Sequence, residues 1–225
     1  MLDLAIIGGG AAGFFAAINA KTKHPNLKVE IFEKSKTVLG KVKISGGGRC
    51  NVTHACFDNR TLVSYYPRGN KELLSVFERF NTKDTVKWFE SRGIVLKSEA
   101  DGRIFPISDN SETIVNCFLD ECNALKIPIK TLRSVKGIEK KECFQLNIND
   151  EIIEAKQVLV ASGSSDSFWQ LLKGMGHHII EPVPSLFTFY LDHDFIADLM
   201  GLSVPKASVR LLLDKQQLKA SRLSQ

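Results

Sequence analysis

The chain has 225 residues, of which 44% are hydrophobic and 24% are charged, close to the ordinary composition of a folded globular protein. These values exclude a disordered chain, a collagen-like repeat and a small disulfide scaffold, and the length is sufficient for a large buried core. Thirty basic residues against 25 acidic ones give a net charge of +5. Because acidic residues interrupt almost every basic stretch, we expect no nucleic-acid-binding surface.

The cysteines and the uncharged N-terminal stretch indicate where the protein works. The five cysteines are odd in number and form no Cys-x-x-Cys pair, which favours free thiols in a reducing cytoplasm over disulfides or a metal site. No charged residue lies between Asp3 and Lys21. This run has no basic start and contains consecutive glycines, so we interpret it neither as a signal peptide nor as a membrane span. We therefore expect a cytoplasmic protein that binds neither metal nor membrane.

The chain begins with a strand, a turn, a helix and a second strand. Leu2–Ile7 is almost wholly apolar, as in a buried parallel strand, and Gly8–Gly13 follows it directly. Ala11–Lys23 predicts a helix, and Lys28–Phe32 predicts a second strand that ends at Glu33. Together these features form a dinucleotide-binding fingerprint, in which a Gly-x-Gly-x-x-Gly turn joins strand to helix and an acidic residue follows the second strand.

The glycines and the acid of this fingerprint each have a physical role. Gly8 permits the sharp turn out of the strand, Gly10 lets a pyrophosphate approach the backbone, and Gly13 lets the helix pack close to the strands. The helix N-terminus offers unpaired N–H groups to the phosphates. Glu33 lies where a carboxylate accepts hydrogen bonds from ribose hydroxyls and repels a 2′-phosphate. We therefore predict a dinucleotide with an unphosphorylated adenosine ribose.

A second glycine-rich segment indicates which kind of dinucleotide is bound. In a simple nicotinamide-binding domain the second strand leads into a crossover helix, whereas here it leads into Ser35–Thr53, which we expect to be a loop. The consecutive N–H groups of Gly46–Gly48 can form a concavity for a phosphate or a flat ring. Arg49 follows them, and its guanidinium can neutralise a pyrophosphate. This segment speaks against a simple nicotinamide-binding domain.

The middle of the chain predicts helices, a hairpin and a run of short strands. Amphipathic spacing predicts helices at Asn70–Phe80 and Thr82–Arg92, and a longer helix, capped by Asn110 or Ser111, reaches Lys126. Strands are expected at Ile94–Lys97 and Arg103–Phe105, which form a hairpin, and at Ile129–Thr131, Val135–Glu139, Cys143–Ile148, Glu151–Ala155 and Gln157–Ala161. The later strands form a meander, and the last of them returns to the parallel sheet.

The C-terminal part predicts a domain boundary. A short helix is expected at Phe168–Lys173, and the segment Pro182-Val183-Pro184 is typical of a linker. Phe187–Leu191 and Ser208–Leu213 then predict strands of a second, β-rich domain. We therefore divide the chain into residues 1–185 and residues 186–225.

The two glycine-rich segments together resemble a family of bacterial flavoproteins that includes aminoacetone oxidases and bile-acid dehydro-reductases. The motifs that carry the resemblance are Ile7–Gly13, Glu33-Lys34, Lys41–Asn51, Asp101–Pro106, Val158–Gly163 and Gly176–Leu186. They cover nearly the whole chain. Two features depart from the family: Ala161-Ser162-Gly163-Ser164 stands in place of Ala-Thr-Gly-Gly, and family members are much longer. The chain therefore resembles the N-terminal part of a family member.

This resemblance implies an FAD-binding oxidoreductase of α/β, Rossmann-like fold, with a parallel sheet, helices on one face, a β-meander on the other and the start of a β-rich second domain. It implies hydride transfer between the flavin and a small organic substrate, with a nicotinamide or oxygen as second redox partner and NAD(P)H as a candidate co-substrate. It also places the backbone of Val135 at the adenine. The residues expected to bind FAD are Gly8, Gly10, Ala11, Ala12, Gly13, Glu33, Lys34, Lys41, Ser45, Gly46, Gly47, Gly48, Arg49, Cys50, Asn51, Val135, Ala161, Ser162 and Gly163. No catalytic side chain is identified.

Two alternatives stay open at this point. The first is an NAD-binding dehydrogenase without flavin, which a protein lacking flavin absorbance would indicate. The second is a non-catalytic fragment, because in the resembled fold the last strand and helix of the FAD domain lie beyond residue 225. Without them the sheet edge would expose unpaired backbone groups, so we expect the 225-residue chain alone to be poorly soluble and to bind FAD weakly. Neither the substrate nor the oligomeric state is indicated by the sequence.

Overall fold

The computed structural model describes residues 1–183 and, beyond them, Ser208. The chain divides into two compact units, Met1–Ile179 and Ile180–Gln225, and every element described below belongs to the first unit. The strands expected at 187–191 and 208–213 lie outside the described residues, apart from Ser208, which belongs to neither a helix nor a strand. The division into residues 1–185 and 186–225 therefore stays a prediction.

The described residues form nine strands and seven helices. In chain order they are β1 (Leu2–Ile7), α1 (Ala11–Lys23), β2 (Val29–Phe32), α2 (Gly40–Gly48), β3 (Thr53–His54), α3 (Asn59–Ser64), α4 (Asn70–Phe77), α5 (Thr82–Glu90), β4 (Leu96–Ser98), β5 (Arg103–Pro106), α6 (Glu112–Ala124), β6 (Ile129–Lys130), β7 (Val135–Lys140), β8 (Phe144–Ile148), β9 (Glu151–Val160) and α7 (Asp166–Gly174). The bounds of β1 and α1 are those expected from the sequence. The elements β3 and α3 were not expected.

A six-stranded sheet in the order β6-β2-β1-β9-β8-β7 forms the centre of the unit. The strands β6, β2, β1 and β9 run parallel, whereas β9, β8 and β7 form an antiparallel meander. A parallel strand in the middle of a sheet needs apolar residues on both faces. The strand β1 provides them, because Ala5 and Ile6 are both fully buried and neighbouring side chains point to opposite faces.

The two faces of the sheet are covered by different elements. Ile6 belongs to one cluster of buried residues, together with Phe14 of α1 and residues of α5 and α6. Ala5 belongs to a second cluster, together with Leu146 of β8 and Phe168 of α7. The expected α/β, Rossmann-like fold is therefore confirmed. The first cluster contains residues of α1, α5 and α6, whereas the second contains meander residues and, unlike the expected arrangement with helices on one face only, Phe168 of helix α7.

The strand β9 corrects one detail of the sequence analysis. Two strands were expected, Glu151–Ala155 and Gln157–Ala161, but a single strand runs through both. Its first half pairs antiparallel with β8, and its second half pairs parallel with β1. Backbone pairing continues across the expected break, because Ala155 pairs with both Leu2 and Phe144 and Gln157 pairs with Leu4. The meander is therefore continuous with the parallel sheet.

The segment after β2 corrects a second detail of the sequence analysis. It was expected to be a loop, but it contains α2, a helix whose backbone leaves helical geometry from Ser45 to Gly47. Leu39 precedes this helix with a φ of +58°, and its side chain is 1% exposed. Its N–H donates to the carbonyl oxygen of Gly9 at 2.8 Å. Burial of Leu39 therefore fixes the start of α2 beside the turn that follows β1.

Candidate functional site

The turn between β1 and α1 is so tight that two of its positions accept only glycine. Gly8 has a φ of +114°, and a Cβ there would lie 2.3 Å from the carbonyl oxygen of Ala161. A Cβ on Gly13 would lie 2.0 Å from the carbonyl oxygen of Gly8. Both distances are far shorter than van der Waals contact, and the opposing atoms belong to the backbone. Packing within the chain therefore fixes these two glycines.

Gly10 lacks a side chain for a different reason. A Cβ there would meet no heavy atom within 4 Å, so the chain itself would accept a larger residue. Gly10 is the N-cap of α1, and the first turn of that helix carries no acidic residue. Open space therefore lies directly at the positive end of the helix dipole. An anionic group such as a phosphate fits this space, because unpaired N–H groups point into it.

Glu33, at the end of β2, is held by two backbone N–H groups. One carboxylate oxygen accepts from the N–H of Gly9 at 2.7 Å, and the other accepts from the N–H of Ser35 at 2.8 Å. Partial burial alone would raise the pKa of Glu33, but the N–H groups of Ser35 and Gly9 outweigh it and hold this pKa below its usual 4.5. The side chain is thus a fixed carboxylate beside the glycine turn.

Three neighbouring clefts surround this turn. The meander cleft, of about 110 Å³, is lined by residues that include Gly8, Glu33, Lys34, Arg133, Val135 and Ser162. The central cleft, of about 470 Å³, is lined by residues that include Gly8, Gly9, Gly10, Glu33, Lys41, Ala161, Ser162 and Gly163. The aromatic cleft, of about 430 Å³, is lined by residues that include Phe15, Lys41, Ser45, Cys50, Asn51, Trp88 and Phe118.

Neighbouring clefts share lining residues, and the three adjacent clefts are called the path below. Gly8 and Glu33 line both the meander cleft and the central cleft. Ala11, Ala12 and Lys41 line both the central cleft and the aromatic cleft. The path therefore passes from the backbone of the meander, over the N-terminus of α1, to the aromatic side chains of the helical layer. The N-terminus of α1 suits phosphates at the middle of this path, and a further cleft lies on either side of it.

The second glycine segment lies at the aromatic end of this path. Gly46, Gly47 and Gly48 all have positive φ values, of +57°, +68° and +85°, and Cys50 has a φ of +62°. A Cβ on Gly46 would lie 2.8 Å from the backbone nitrogen of Asn51, whereas a Cβ on Gly47 or Gly48 would meet nothing within 4 Å. The segment therefore doubles back on itself and presents Cys50 and Asn51 to the aromatic cleft.

Arg49 points away from the central cleft. Its guanidinium lies 2.5 Å from a carboxylate oxygen of Glu99 and 3.5 Å from one of Asp109. It also stacks on the ring of Phe105, with Cζ 4.0 Å from the ring centroid. Hydrogen bonding to Glu99 raises the pKa of Arg49 above its usual range. Its charge is thus compensated by two carboxylates and an aromatic face on the hairpin side of the unit.

Lys41, in the first turn of α2, faces the clefts. It lines both the central and the aromatic cleft, and its ammonium would lie 3.8 Å from a Cβ placed on Gly163, across the central cleft. Among the residues that the structure describes, no carboxylate forms an ion pair with it. Lys43, two residues further on, instead forms an ion pair with Glu112. The two lysines of this short helix therefore have different surroundings.

Most of the residues expected to bind a cofactor line the three clefts. The expected residues that line none of them are Gly13, Gly46, Gly47, Gly48 and Arg49. Residues that sequence reasoning missed are Gly9, whose N–H holds Glu33, and the aromatic wall formed by Phe15, Trp88 and Phe118. The apolar face of the amphipathic helix α5 was recognised, but its spacing alone does not show that part of it borders a cleft.

The cysteines give no sign of redox or metal chemistry. All five thiols are free, and burial raises the pKa of Cys50 above its usual range, so the thiol is protonated at neutral pH. Burial raises the pKa of Cys117 to about 11 and that of Cys122 to about 12. Within residues 1–183 no group of three or more His, Cys, Asp or Glu side chains is arranged to hold a metal ion. No helix in that range has the length and apolar character needed to span a bilayer.

Comparison with known proteins gives a family match along most of the chain. The family model described as the HI0933-like protein Rossmann domain matches residues 2–212. A 3-dehydro-bile acid delta(4,6)-reductase of Clostridium scindens is 28% identical over 227 residues, covering 97% of this chain and 54% of the relative. A ribosomal RNA dihydrouridine synthase of Escherichia coli is 26% identical over 215 residues, covering 90% of this chain and 52% of the relative. The chain thus spans about half the length of these curated relatives.

Solved structures with the same fold are more distant in sequence. Thermovibrio ammonificans THI4 superposes with a TM-score of 0.52 at 15% identity, covering 77% of this chain and 62% of that one. The open conformation of a flavocytochrome c3 fumarate reductase superposes with a TM-score of 0.54 at 18% identity, covering 71% of this chain and 33% of that one. At these identities the likeness shows a shared fold.

Proposed function

The chain belongs to the HI0933-like Rossmann-domain family, a family of flavoprotein-type oxidoreductases, and from this premise we propose that it binds FAD. We propose further that it serves hydride transfer between the flavin and a small organic substrate, with a nicotinamide or oxygen as second redox partner. The observation that carries the proposal is the path of three clefts over the N-terminus of α1. A dinucleotide has two ring systems joined by phosphates, which matches a helix N-terminus with a cleft on either side.

The adenosine half fits the end of the path that borders the meander. Glu33 lines both the meander cleft and the central cleft, and its carboxylate is already ionised and fixed by two N–H groups. Each carboxylate oxygen keeps a free lone pair for a ribose hydroxyl, since a carboxylate can accept about four hydrogen bonds. Val135 lines the meander cleft beside Gly8, so backbone groups of β7 are available to an adenine edge.

The phosphates and the flavin fit the middle and the far end. Gly10 leaves open space at the N-terminus of α1, where N–H groups and the helix dipole stabilise a pyrophosphate. Ser45, Cys50 and Asn51 border the aromatic cleft next to Lys41. A bound flavin accepts and donates hydride by itself, so the chain has to bind it, orient it and exclude water. This explains why no acid–base pair is needed among the described residues.

The names of the curated relatives support hydride transfer in the direction that reduces the organic substrate. One relative is called a reductase and the other a dihydrouridine synthase, and both names denote the addition of hydrogen to an organic compound. In that direction NAD(P)H supplies a hydride, solvent supplies a proton, and the substrate gains two hydrogens while the nicotinamide is oxidised. We propose an unsaturated small molecule as the substrate class.

Flavin release tests the cofactor. The purified protein is denatured, and the released chromophore is identified by absorbance and chromatography. We expect FAD to be the flavin that is released. Because the 225-residue chain by itself is expected to bind FAD weakly, the ratio of FAD to protein should approach 1:1 only with a large excess of cofactor. Release of FMN, or a failure to bind flavin combined with NAD binding, would instead support the nicotinamide dehydrogenase without flavin. Absence of binding to either dinucleotide would support a non-catalytic fragment.

A second candidate function is reduction of a base in RNA. Two curated relatives are ribosomal RNA dihydrouridine synthases, and one surface of the chain supports the idea. Tyr65 and Tyr66, between α3 and α4, are 66% and 40% exposed. Arg68 and Lys71 follow them and form no ion pair within the described residues. Exposed aromatic rings next to basic side chains are the kind of surface on which unpaired bases stack.

The two candidates are separated by an RNA-binding measurement. For the RNA function we expect a fluorescently labelled, uridine-rich single strand to bind, and Tyr65→Ser to weaken that binding by roughly tenfold, the loss of one stacked base. Val76→Ser is the matched control, because Val76 is an exposed apolar residue of α4 without a basic neighbour in sequence. Equal affinity of both variants, or no binding at low salt, leaves the small-molecule substrate as the supported class.

A further inference from the structure

Two cations of the second glycine segment were expected to contact the cofactor, and the structure gives them different surroundings. Arg49 is enclosed by Glu99, Asp109 and the ring of Phe105. To reach the central cleft its guanidinium would have to leave two carboxylates and an aromatic face. Such a rearrangement is unfavourable, because the carboxylates would lose their partner and the stacked contact would be lost as well.

Lys41 has none of these restraints. Its side chain is exposed, it lines the central cleft next to Gly10, and its ammonium lies near the backbone of Gly163 on the opposite wall. No carboxylate within residues 1–183 forms an ion pair with it. The N-terminus of α1 and the ammonium of Lys41 therefore border the central cleft together, and both are electropositive.

We propose that Lys41 supplies the charged contact to the cofactor's pyrophosphate, and that Arg49 is a positioning residue that holds the Gly46–Asn51 segment against the hairpin. The inference rests on the proposed function, because it assigns roles within the same cofactor site. It follows from the placement of the two charges: within residues 1–183 the ammonium in the cleft pairs with no carboxylate, and the guanidinium outside the cleft already pairs with two.

The position of Arg49 explains how it acts through its neighbours. Its guanidinium stacks on Phe105, and the edge of the same ring would lie 2.9 Å from a Cβ on Gly46. The ring is thus clamped between the guanidinium and the glycine backbone. The segment that carries Asn51 into the aromatic cleft is held in place by this stack. Loss of Arg49 should therefore loosen the segment without removing charge from the phosphate site.

Binding of ADP tests the two roles, because ADP carries the adenosine and the two phosphates but no flavin. We measure ADP, adenosine and FAD affinities of the wild type, Lys41→Met and Arg49→Met by calorimetry. We expect Lys41→Met to weaken ADP and FAD by roughly ten- to a hundredfold, the loss of one charged contact, and to leave adenosine unchanged. We expect Arg49→Met to keep ADP affinity within about twofold, to weaken FAD and to lower the midpoint of thermal unfolding.

Two further variants serve as matched controls. Lys43→Met removes a lysine from the same helix, but one that pairs with Glu112, so ADP affinity should not change. Lys41→Arg keeps a positive charge at the cleft and should restore most of the ADP affinity. In case Arg49→Met does not fold, Glu99→Gln weakens the same clamp and leaves Arg49 in the chain. We expect Glu99→Gln to bind ADP as the wild type does and to unfold at lower temperature.

The outcomes separate this inference from the proposed function. If the wild type binds neither ADP nor FAD, the proposed function and the inference both fail. If the wild type binds both, and Lys41→Met binds ADP equally well, only the inference is overturned. It is also overturned if Arg49→Met loses ADP affinity without a change in unfolding, or if Glu99→Gln tightens ADP binding, since a released Arg49 would then reach the phosphates.

Discussion

The two glycine-rich segments of this unit are built in opposite ways. In the first, Gly8–Gly13, backbone atoms determine the geometry: the carbonyl oxygens of Ala161 and Gly8 leave no room for a side chain, and two N–H groups fix Glu33. In the second, Gly46–Asn51, side chains determine it, since Arg49 is bound to Glu99 and stacked on Phe105. Steric contacts with backbone atoms therefore fix the conformation of Gly8–Gly13, whereas the conformation of Gly46–Asn51 depends on an ion pair and an aromatic ring.

This difference has consequences for what each segment tolerates. A backbone contact cannot relax without moving β1 or α1, so substitutions in Gly8–Gly13 should damage the whole unit. A contact between side chains can be lost locally, so substitutions near Arg49 should affect the aromatic end of the path first. The predictions below test this contrast, beginning with the largest expected effect.

Gly13→Ala should be the most damaging of these substitutions. The added Cβ would lie 2.0 Å from the carbonyl oxygen of Gly8, so β1 and α1 must move apart, and we expect a loss of at least about 3 kcal/mol in the free energy of unfolding. Urea denaturation measures it. Gly10→Ala is the control: its Cβ meets nothing, so the free energy of unfolding should fall only by about 1 kcal/mol or less, the effect of alanine at an N-cap, while FAD affinity falls. If the wild type and Gly13→Ala had the same free energy of unfolding, steric contacts would not fix this turn.

Gly46→Ala and Gly47→Ala form a matched pair in Gly46–Asn51. Both residues have positive φ values near +60°, so each alanine should cost about 1–2 kcal/mol of backbone strain. Only the alanine at Gly46 would also meet Asn51 and Phe105, which should add about 1–2 kcal/mol. The difference between the two midpoints in urea therefore measures the packing of Gly46 against Asn51 and Phe105 together. Identical midpoints would mean that the segment moves away from the hairpin at no cost.

Glu33→Ala should affect both stability and ligand binding. It leaves the N–H groups of Gly9 and Ser35 without their acceptor, at a cost of about 1–2 kcal/mol, and FAD affinity should fall by roughly ten- to a hundredfold. FMN, which has no adenosine, should bind equally to both proteins. Glu90→Ala, at the exposed end of α5, is the control. An unchanged FAD dissociation constant would show that Glu33 serves only the turn.

The same carboxylate predicts a pH dependence with a definite sign. The pKa of Glu33 is lowered in the folded protein, so its contribution to stability is fully present above its unfolded pKa of about 4.5. The contribution is lost as the pH falls through the lower, folded value. Wild type and Glu33→Ala should therefore converge in free energy of unfolding toward low pH and differ most at neutral pH. A difference independent of pH would exclude the ionised carboxylate as its cause.

The smallest effect is expected for the pair Arg49 and Glu99. Both side chains are about one-third exposed, so a double-mutant cycle with Arg49→Met and Glu99→Gln should give a small coupling energy, within the range for exposed ion pairs. Arg133 and Glu151, a more exposed pair, should give less. A coupling no larger than that of the control pair would leave the ring of Phe105 as the main restraint on Arg49.

Much of the geometry of Gly8–Gly13 could be predicted because it depends on residues that are close together in the sequence. Gly8, Gly10 and Gly13 follow an apolar strand at fixed spacing, and Glu33 closes the fingerprint within the same short stretch of chain. The helix α2 was missed because three glycines suggest a loop, whereas burial of Leu39, which no short pattern reveals, fixes the start of the helix. The single strand β9 was divided in two because the charged residue Lys156 interrupts the apolar pattern, whereas backbone pairing with β8 and then β1 continues across it.

The sequence by itself determined the α/β order, the glycine turn and the carboxylate beside it, because side-chain size and periodicity act between near neighbours in the chain. The tertiary structure decided where the charges of the second glycine segment point. Arg49 finds its partner Glu99 50 residues away in sequence, across a hairpin whose position depends on packing of the whole unit. Lys41, in the first turn of α2, finds no such partner within residues 1–183. Long-range contacts, which a sequence pattern does not contain, therefore separate a cation that holds the chain from a cation available to a ligand.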